Sequence, residues 1–161
     1  MITARSQKYS KGFTLIELLV VIGILAVLLA ITLIAINPAR QFSQANDTKR
    51  SSDVNAILNA VGQYSADNKG NLSALNIPAT AGVIGGATGA TPAQVDLCPA
   101  LITTYMAALP VDPLTDNGTP VSTCNATYDT NYTIVQSATD SRITVCAPAT
   151  EIPATDICVT R

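Results

Sequence analysis

From Leu18 to Ile36 the chain reads LLVVIGILAVLLAITLIAI, an apolar run of about 19 residues without a charge. As a helix rising 1.5 Å per residue it reaches roughly 28 Å, close to the hydrocarbon thickness of a bilayer. Its Leu, Ile and Val content favours insertion by roughly 4–8 kcal/mol, so the run predicts a membrane helix. Past Pro38 the pattern changes. Phe42, Ala45, Val54, Ile57, Leu58, Val61 and Tyr64 recur at three- and four-residue spacings, while Asp47, Lys49, Arg50, Asp53 and Asn55 take the other positions. That alternation predicts an amphipathic helix to about Ala66, stopped by Asp67-Asn68-Lys69-Gly70. The charges from Asp47 to Asp53 read as a solvated face, with inter-subunit salt bridges as the functional alternative.

The second half is less periodic. Residues 71–97 are rich in Gly, Ala, Thr and Pro, and GVIGGATG (82–89) reads as a loop. It lacks the Gly-Lys-Ser/Thr ending of a phosphate-binding loop, and no acidic residue follows at dinucleotide-binding spacing. PALITTYMAAL (99–109) predicts one short helix, with Pro99 in its first turn and Pro110 beyond its end. LPVDPLTDNGTP (109–120) is turn-rich, and three strand patterns follow: NYTIVQ (131–136), RITVCA (142–147) and DICVT (156–160).

Composition sharpens this division. Charged residues make up 12% of the 161 positions and hydrophobic ones 48%, as expected if part of the apolar share lies outside a water-facing domain. The absence of His removes histidine triads, histidine metal sites and histidine general bases. No nucleophile–base pairing is visible among the scattered Asp residues, so no catalytic residue is assigned and an enzyme is not expected. Beyond Gly70 only Arg142 and Arg161 are basic, against seven acids, so direct nucleic-acid binding by this acidic half is not expected either.

Charge also sets topology. Residues 1–12, MITARSQKYSKG, carry Arg5, Lys8 and Lys11 and no acid, which places them in the cytoplasm and the remainder outside. The apolar run ends at Asn37-Pro38-Ala39-Arg40 without a small-residue cleavage pattern, favouring a retained anchor over a secretory signal. Cys98, Cys124, Cys146 and Cys158 all fall in the exported half, an even count that suggests two disulfides. Three connectivities are open. Cys146 and Cys158 on neighbouring antiparallel strands favour that pair, leaving Cys98 with Cys124. The acceptor triplets at Asn71, Asn125 and Asn131 are of a kind that an Asn- and Thr-rich chain carries by chance.

Glu17 stands inside the apolar stretch, four residues after Phe13. An ionisable group in a membrane helix is costly and is a functional hypothesis by default. It either reaches to the headgroups or awaits a cation, and an α-amine freed on Phe13 by cleavage after Gly12 would be such a cation. The segment KGFTLIELLVVIGILAVLLAI resembles the N-terminus of a type IV pilin or pseudopilin, closely over about the first 36 residues and in architecture alone beyond them. The resemblance implies cleavage between Gly12 and Phe13 by a prepilin peptidase, N-methylation of Phe13, and neutralisation of that amine by Glu17 on an adjacent subunit. Many members bend at a proline where this chain has Ile34, so any kink is expected instead at Asn37-Pro38.

LPVDP (109–113) is similar to a loop of type II secretion pseudopilins that can hold calcium, which makes Asp112, Asp116 and Asn117 candidate ligands. The likeness ends at Leu114, so the segment reads as an ordinary turn that needs no cofactor, with calcium as the alternative. The implied fold is α+β: a long N-terminal helix, half transmembrane and half amphipathic, packed on a small antiparallel sheet head with disulfides. Its divisions are a leader (1–12), a membrane or filament-core helix (13–36), an amphipathic continuation (37–70) and an exported head (71–161). The implied partners are other copies in a helical filament, the peptidase, an assembly platform with its motor ATPase, and lipid before assembly. The implied location is the inner membrane and then a cell-surface pilus, for adhesion or motility. A pseudopilin of secretion or DNA uptake is the alternative, ahead of a membrane-anchored exported binding module or enzyme.

Overall fold

The computed structural model describes residues 12–86, 94–124, 127–152 and 155–161. They form two compact units, one ending at Gln41 and the other running from Phe42 to Arg161. In the first, helix α1 spans Leu15–Ile36 and buries none of its residues within the chain. At 22 residues it is long and apolar enough to cross a membrane. Ile34 remains helical. The break falls at Asn37, whose backbone is left-handed (φ 44°), a conformation that asparagine tolerates and a branched residue does not. Asn37 Oδ1 accepts from the Arg40 amide at 3.4 Å, and Pro38 opens helix α2, Pro38–Asp67. The expected displacement of the break toward Asn37-Pro38 is what the backbone shows.

Helix α2 ends as its stop signal requires, with Lys69 and Gly70 at positive φ and the Gly70 amide donating to Ser65 O at 2.8 Å. Its buried face is Val54, Ile57, Leu58, Ala60 and Val61, joined by Asp47 and Arg50. Phe42 and Ala45, assigned by spacing to the apolar stripe, are exposed. The stripe therefore begins at Val54, and the turn before it buries ions instead of hydrocarbon.

The second unit lays this helix on a five-stranded sheet of order β2-β1-β3-β4-β5: β1 Gly82–Gly85, β2 Gln94–Val95, β3 Asp129–Gln136, β4 Ile143–Ala147 and β5 Ile157–Thr160. Strands β3, β4 and β5 form the expected antiparallel meander, while β1 pairs antiparallel to β3 and parallel to β2. Alternation along β3 and β4 turns Tyr132, Ile134, Ile143, Val145 and Ala147 into one core with the α2 stripe. Two expectations are corrected. Gly82–Gly85 is a strand and not loop; a β-carbon on Gly85 would lie 2.8 Å from Gln94 Cδ and 2.9 Å from Tyr128 O, so glycine permits the close approach there. Residues 87–89 of that stretch lie outside the described residues.

The 99–109 segment is not one helix either. Helix α3 is a single turn, Cys98–Leu101. The β-branched Ile102-Thr103-Thr104 follows, with Thr103 at φ 73°, and Leu101 O accepts from the amides of both Tyr105 and Met106. Leu109 instead pairs with Val121 as an isolated bridge.

The disulfides are Cys98–Cys124 and Cys146–Cys158, the latter between direct register partners on β4 and β5. Their sequence separations are 26 and 12 residues. Chain entropy then assigns about 3.5 kcal/mol to the first and about 3 kcal/mol to the second. Replacing Cys98 and Cys124 together by alanine is expected to lower the denaturant midpoint more than the same change at Cys146 and Cys158. The reverse ranking in matched melts would show that strand pairing, not loop closure, sets the larger contribution.

Candidate functional site

The segment ahead of α1 is short and open. Phe13 is 84% exposed, and a β-carbon on Gly12 would meet nothing within 4 Å, so the Gly12–Phe13 peptide bond is sterically accessible. Residues 1–11, including the basic positions Arg5, Lys8 and Lys11, lie outside the described residues. Thr14 is the N-cap of α1 in extended conformation (φ −80°, ψ 153°). Its Oγ1 accepts from the Glu17 amide at 3.3 Å, and Glu17 Oε2 accepts from the Thr14 amide at 2.7 Å and from Thr14 Oγ1 at 2.8 Å. This is a capping box, and it satisfies two amides that a helix start leaves without partners. The carboxylate also faces the positive end of the helix dipole. Thr14-Leu15-Ile16-Glu17 is the sequence signature of that motif, and it was legible. Glu17 is therefore a capping residue as well as the lone charge that its apolar setting suggests.

Three geometric facts result. Glu17 is held at the first turn of the membrane-length helix and not at its middle. Its carboxylate touches the amide that joins Phe13 to Thr14, one residue from the nitrogen that cleavage after Gly12 would free. Every residue C-terminal to it on α1, from Leu18 to Ile36, is exposed, and Thr32, whose hydroxyl donates to Leu29 O, is the one polar side chain among them.

A second constellation lies in the head, where the sequence suggested a solvated face. Arg50 is fully buried and holds three carboxylates. Its Nε donates to Asp112 Oδ2 at 2.6 Å and its Nη2 to Asp112 Oδ1 at 3.1 Å, a bidentate pair. Nη1 donates to Asp47 Oδ1 at 2.8 Å and to Glu151 Oε2 at 3.0 Å. Asp47 in turn accepts from the Glu151 and Ile152 amides, and Glu151 accepts from Asn46 Nδ2 at 2.7 Å. Lys49 Nζ bonds Asp53 and Val111 O, each at 3.0 Å, and Asp53 accepts from the Tyr132 hydroxyl at 2.8 Å. The cluster thus ties the 109–119 turn and the 150–152 loop to two turns of α2, Asn46 to Asp53, inside a single chain. The expected solvated face gives way at Asp47 and Arg50 to a buried intramolecular ion network, while Lys49 stays exposed.

Electrostatics follow the contacts. Burial opposes ionisation of Asp47, but the Glu151 and Ile152 amides and the Arg50 guanidinium outweigh it and hold the carboxyl below its usual range. Asn46 and then Arg50 do the same for Glu151. Burial, followed by the Asp53 carboxylate, pushes the Tyr132 phenol up. Both Asp112 oxygens are engaged by a cation, while Asp116 and Asn117 lie exposed on the adjoining turn at φ 46° and 54°. Among the described residues no group of three or more Cys, His, Asp or Glu side chains is placed to hold a metal ion.

Residues 7–33 match the family model described as the prokaryotic N-terminal methylation motif. No curated protein and no solved structure matches the chain.

Proposed function

We propose that this chain, a type IV pilin-like or pseudopilin precursor by the methylation motif it carries, is a structural subunit of a type IV pilus-like filament that serves adhesion or motility. The observation that carries the proposal is the join of that motif to a helix whose apolar side chains are exposed along its whole length. A prepilin peptidase adds water across the Gly12–Phe13 bond and leaves a protonated amine on Phe13. Methylation keeps that positive charge. The head, acidic beyond Gly70, stays outside the cytoplasm and offers no cationic surface to DNA phosphates.

Assembly follows from the exposed helix. Side chains that face lipid in the precursor face one another in the filament core, and Gly23, Ala26, Ala30 and Ala35 permit close crossings. A contact that is not self-complementary propagates as an open helix of subunits. Leaving the bilayer forfeits insertion energy, so a cytoplasmic motor ATPase acting through an assembly platform drives the process. Glu17 fixes the stagger by pairing its carboxylate with the Phe13 amine of a neighbour, an attraction that low dielectric strengthens.

The test is mass spectrometry of filaments sheared from cells. The expected product begins at methylated Phe13 and is four hydrogens lighter than the reduced chain, for the two disulfides. Gly12→Asp is expected to leave the uncut precursor in membranes, and mature-length protein in that variant would defeat the cleavage assignment. A second reading rests on the LPVDP segment (109–113): a pseudopilin of secretion or DNA uptake. It is favoured if the processed chain is found in the membrane fraction and absent from sheared filaments.

A further inference from the structure

Five Asn-x-Ser/Thr triplets occur in the chain, at Asn46, Asn71, Asn117, Asn125 and Asn131. Such a triplet becomes an acceptor for N-linked sugar only where the amide nitrogen is reachable and the hydroxyl can turn back onto the asparagine. Asn46 fails because it is inside helix α2 with Nδ2 already donating to Glu151, while Thr48 Oγ1 donates to Gln44 O. Asn131 fails because Thr133 is paired on both sides, to Val83 and to Cys146, in the middle of the sheet. At Asn117 the Thr119 amide donates to Asp116 O and not to the asparagine side chain, and Pro120 follows. Asn125 lies outside the described residues.

Asn71 differs from these. Asn71 and Ser73 are both exposed, directly after the Gly70 stop of α2. Asn71 Oδ1 accepts from the Ser73 amide at 2.9 Å and from the Ser73 hydroxyl at 2.7 Å. The Ser73 amide, which can only donate, fixes which side-chain atom is oxygen, and Nδ2 donates to none of the described residues. The turn is anchored by Leu75, which is 1% exposed, so the asparagine is presented on a fixed support. An amide nitrogen is a poor nucleophile because its electron pair is shared with the carbonyl. Two hydrogen bonds into Oδ1 stabilise the charge that gathers there as Nδ2 gives up a proton.

We propose that Asn71 is an N-glycosylation site, modified by a membrane oligosaccharyltransferase from a lipid-pyrophosphate-linked sugar donor. The Nδ2–C1 bond forms and the sugar C1–oxygen bond to pyrophosphate breaks. A base of the transferase takes one Nδ2 proton, and the lipid pyrophosphate leaves with the bonding pair. The inference rests on the proposed export of the head, where such a donor would be used.

The experiment is fragment-resolved peptide mass spectrometry on the full chain from its native membranes and filaments. Trypsin cuts after Lys69, so the relevant peptide begins at Gly70. The expected result is a sugar-mass increment localised to Asn71. It should vanish in Asn71→Gln and Ser73→Ala and persist in Ser73→Thr and Asn117→Gln. A disulfide-bonded, exported chain with bare Asn71, or an increment that survives Ser73→Ala, overturns the proposal. Modification at Asn71 with every copy of the chain, in every fraction, still carrying residues 1–12 supports it while sinking the filament reading, so the two failures are distinguishable.

Discussion

Replacing Arg50 by methionine is expected to destabilise the head by about 3–5 kcal/mol, the range for breaking a buried ion pair from one side. The substitution keeps most of the side-chain volume and removes the guanidinium, leaving the fully buried Asp112 with no counter-charge. In a domain of this size the melting temperature should fall by on the order of 10–20 °C, read on the full chain in detergent micelles. Much of that loss is the penalty of an orphaned carboxylate, not the net value of the pair. Arg50→Met combined with Asp112→Leu should therefore recover a large part of it. A single variant melting within a degree or two of the parent would refute the network's structural role.

The same network sets an acid limit. Asp47 and Glu151 both ionise below their ordinary values of 3.8 and 4.5 in the folded chain. A depressed carboxyl contributes stability that is complete above its unfolded pKa and is lost as pH falls through its folded one. The head should hold its stability down to about pH 4.5 and lose it progressively below about pH 4, and Arg50→Met should flatten that dependence.

Much of this architecture was legible in the chain, and the parts that were not share a physical cause. The membrane-length helix announces itself because nineteen neighbouring residues carry one signal, and the β3–β5 meander because alternation and turn residues agree locally. Arg50 gave no such signal. Its partners Asp112 and Glu151 lie 62 and 101 residues away, and a charged turn of helix looks solvated until the fold brings those acids to it. Gly82–Gly85 reads as loop because glycine weakens strand propensity, whereas its strand is imposed by neighbours on both sides. The 99–109 segment has helical spacing, but spacing did not outweigh three β-branched residues in succession. The Thr14–Glu17 cap is a different case, since its signature is entirely local, a threonine with a glutamate three residues on.

That cap decides how the charge of Glu17 is to be tested. Glutamine at N3 serves a capping box as glutamate does, so Glu17→Gln keeps the helix start and deletes the charge, whereas Glu17→Ala deletes both. If the carboxylate acts by pairing with the Phe13 amine of a neighbouring subunit, both variants should be cleaved normally after Gly12. Both should then lower the yield of sheared filaments by about ten-fold or more, as charge complementarity governs encounter and register between subunits. Thr14→Ala supplies the converse, weakening the cap by about 1 kcal/mol while leaving the carboxylate, and should assemble far better than Glu17→Gln. Should Glu17→Gln make normal filaments while Glu17→Ala and Thr14→Ala do not, the residue's role is to start the helix. The charge-pairing account would then have to be abandoned even though the filament reading survived.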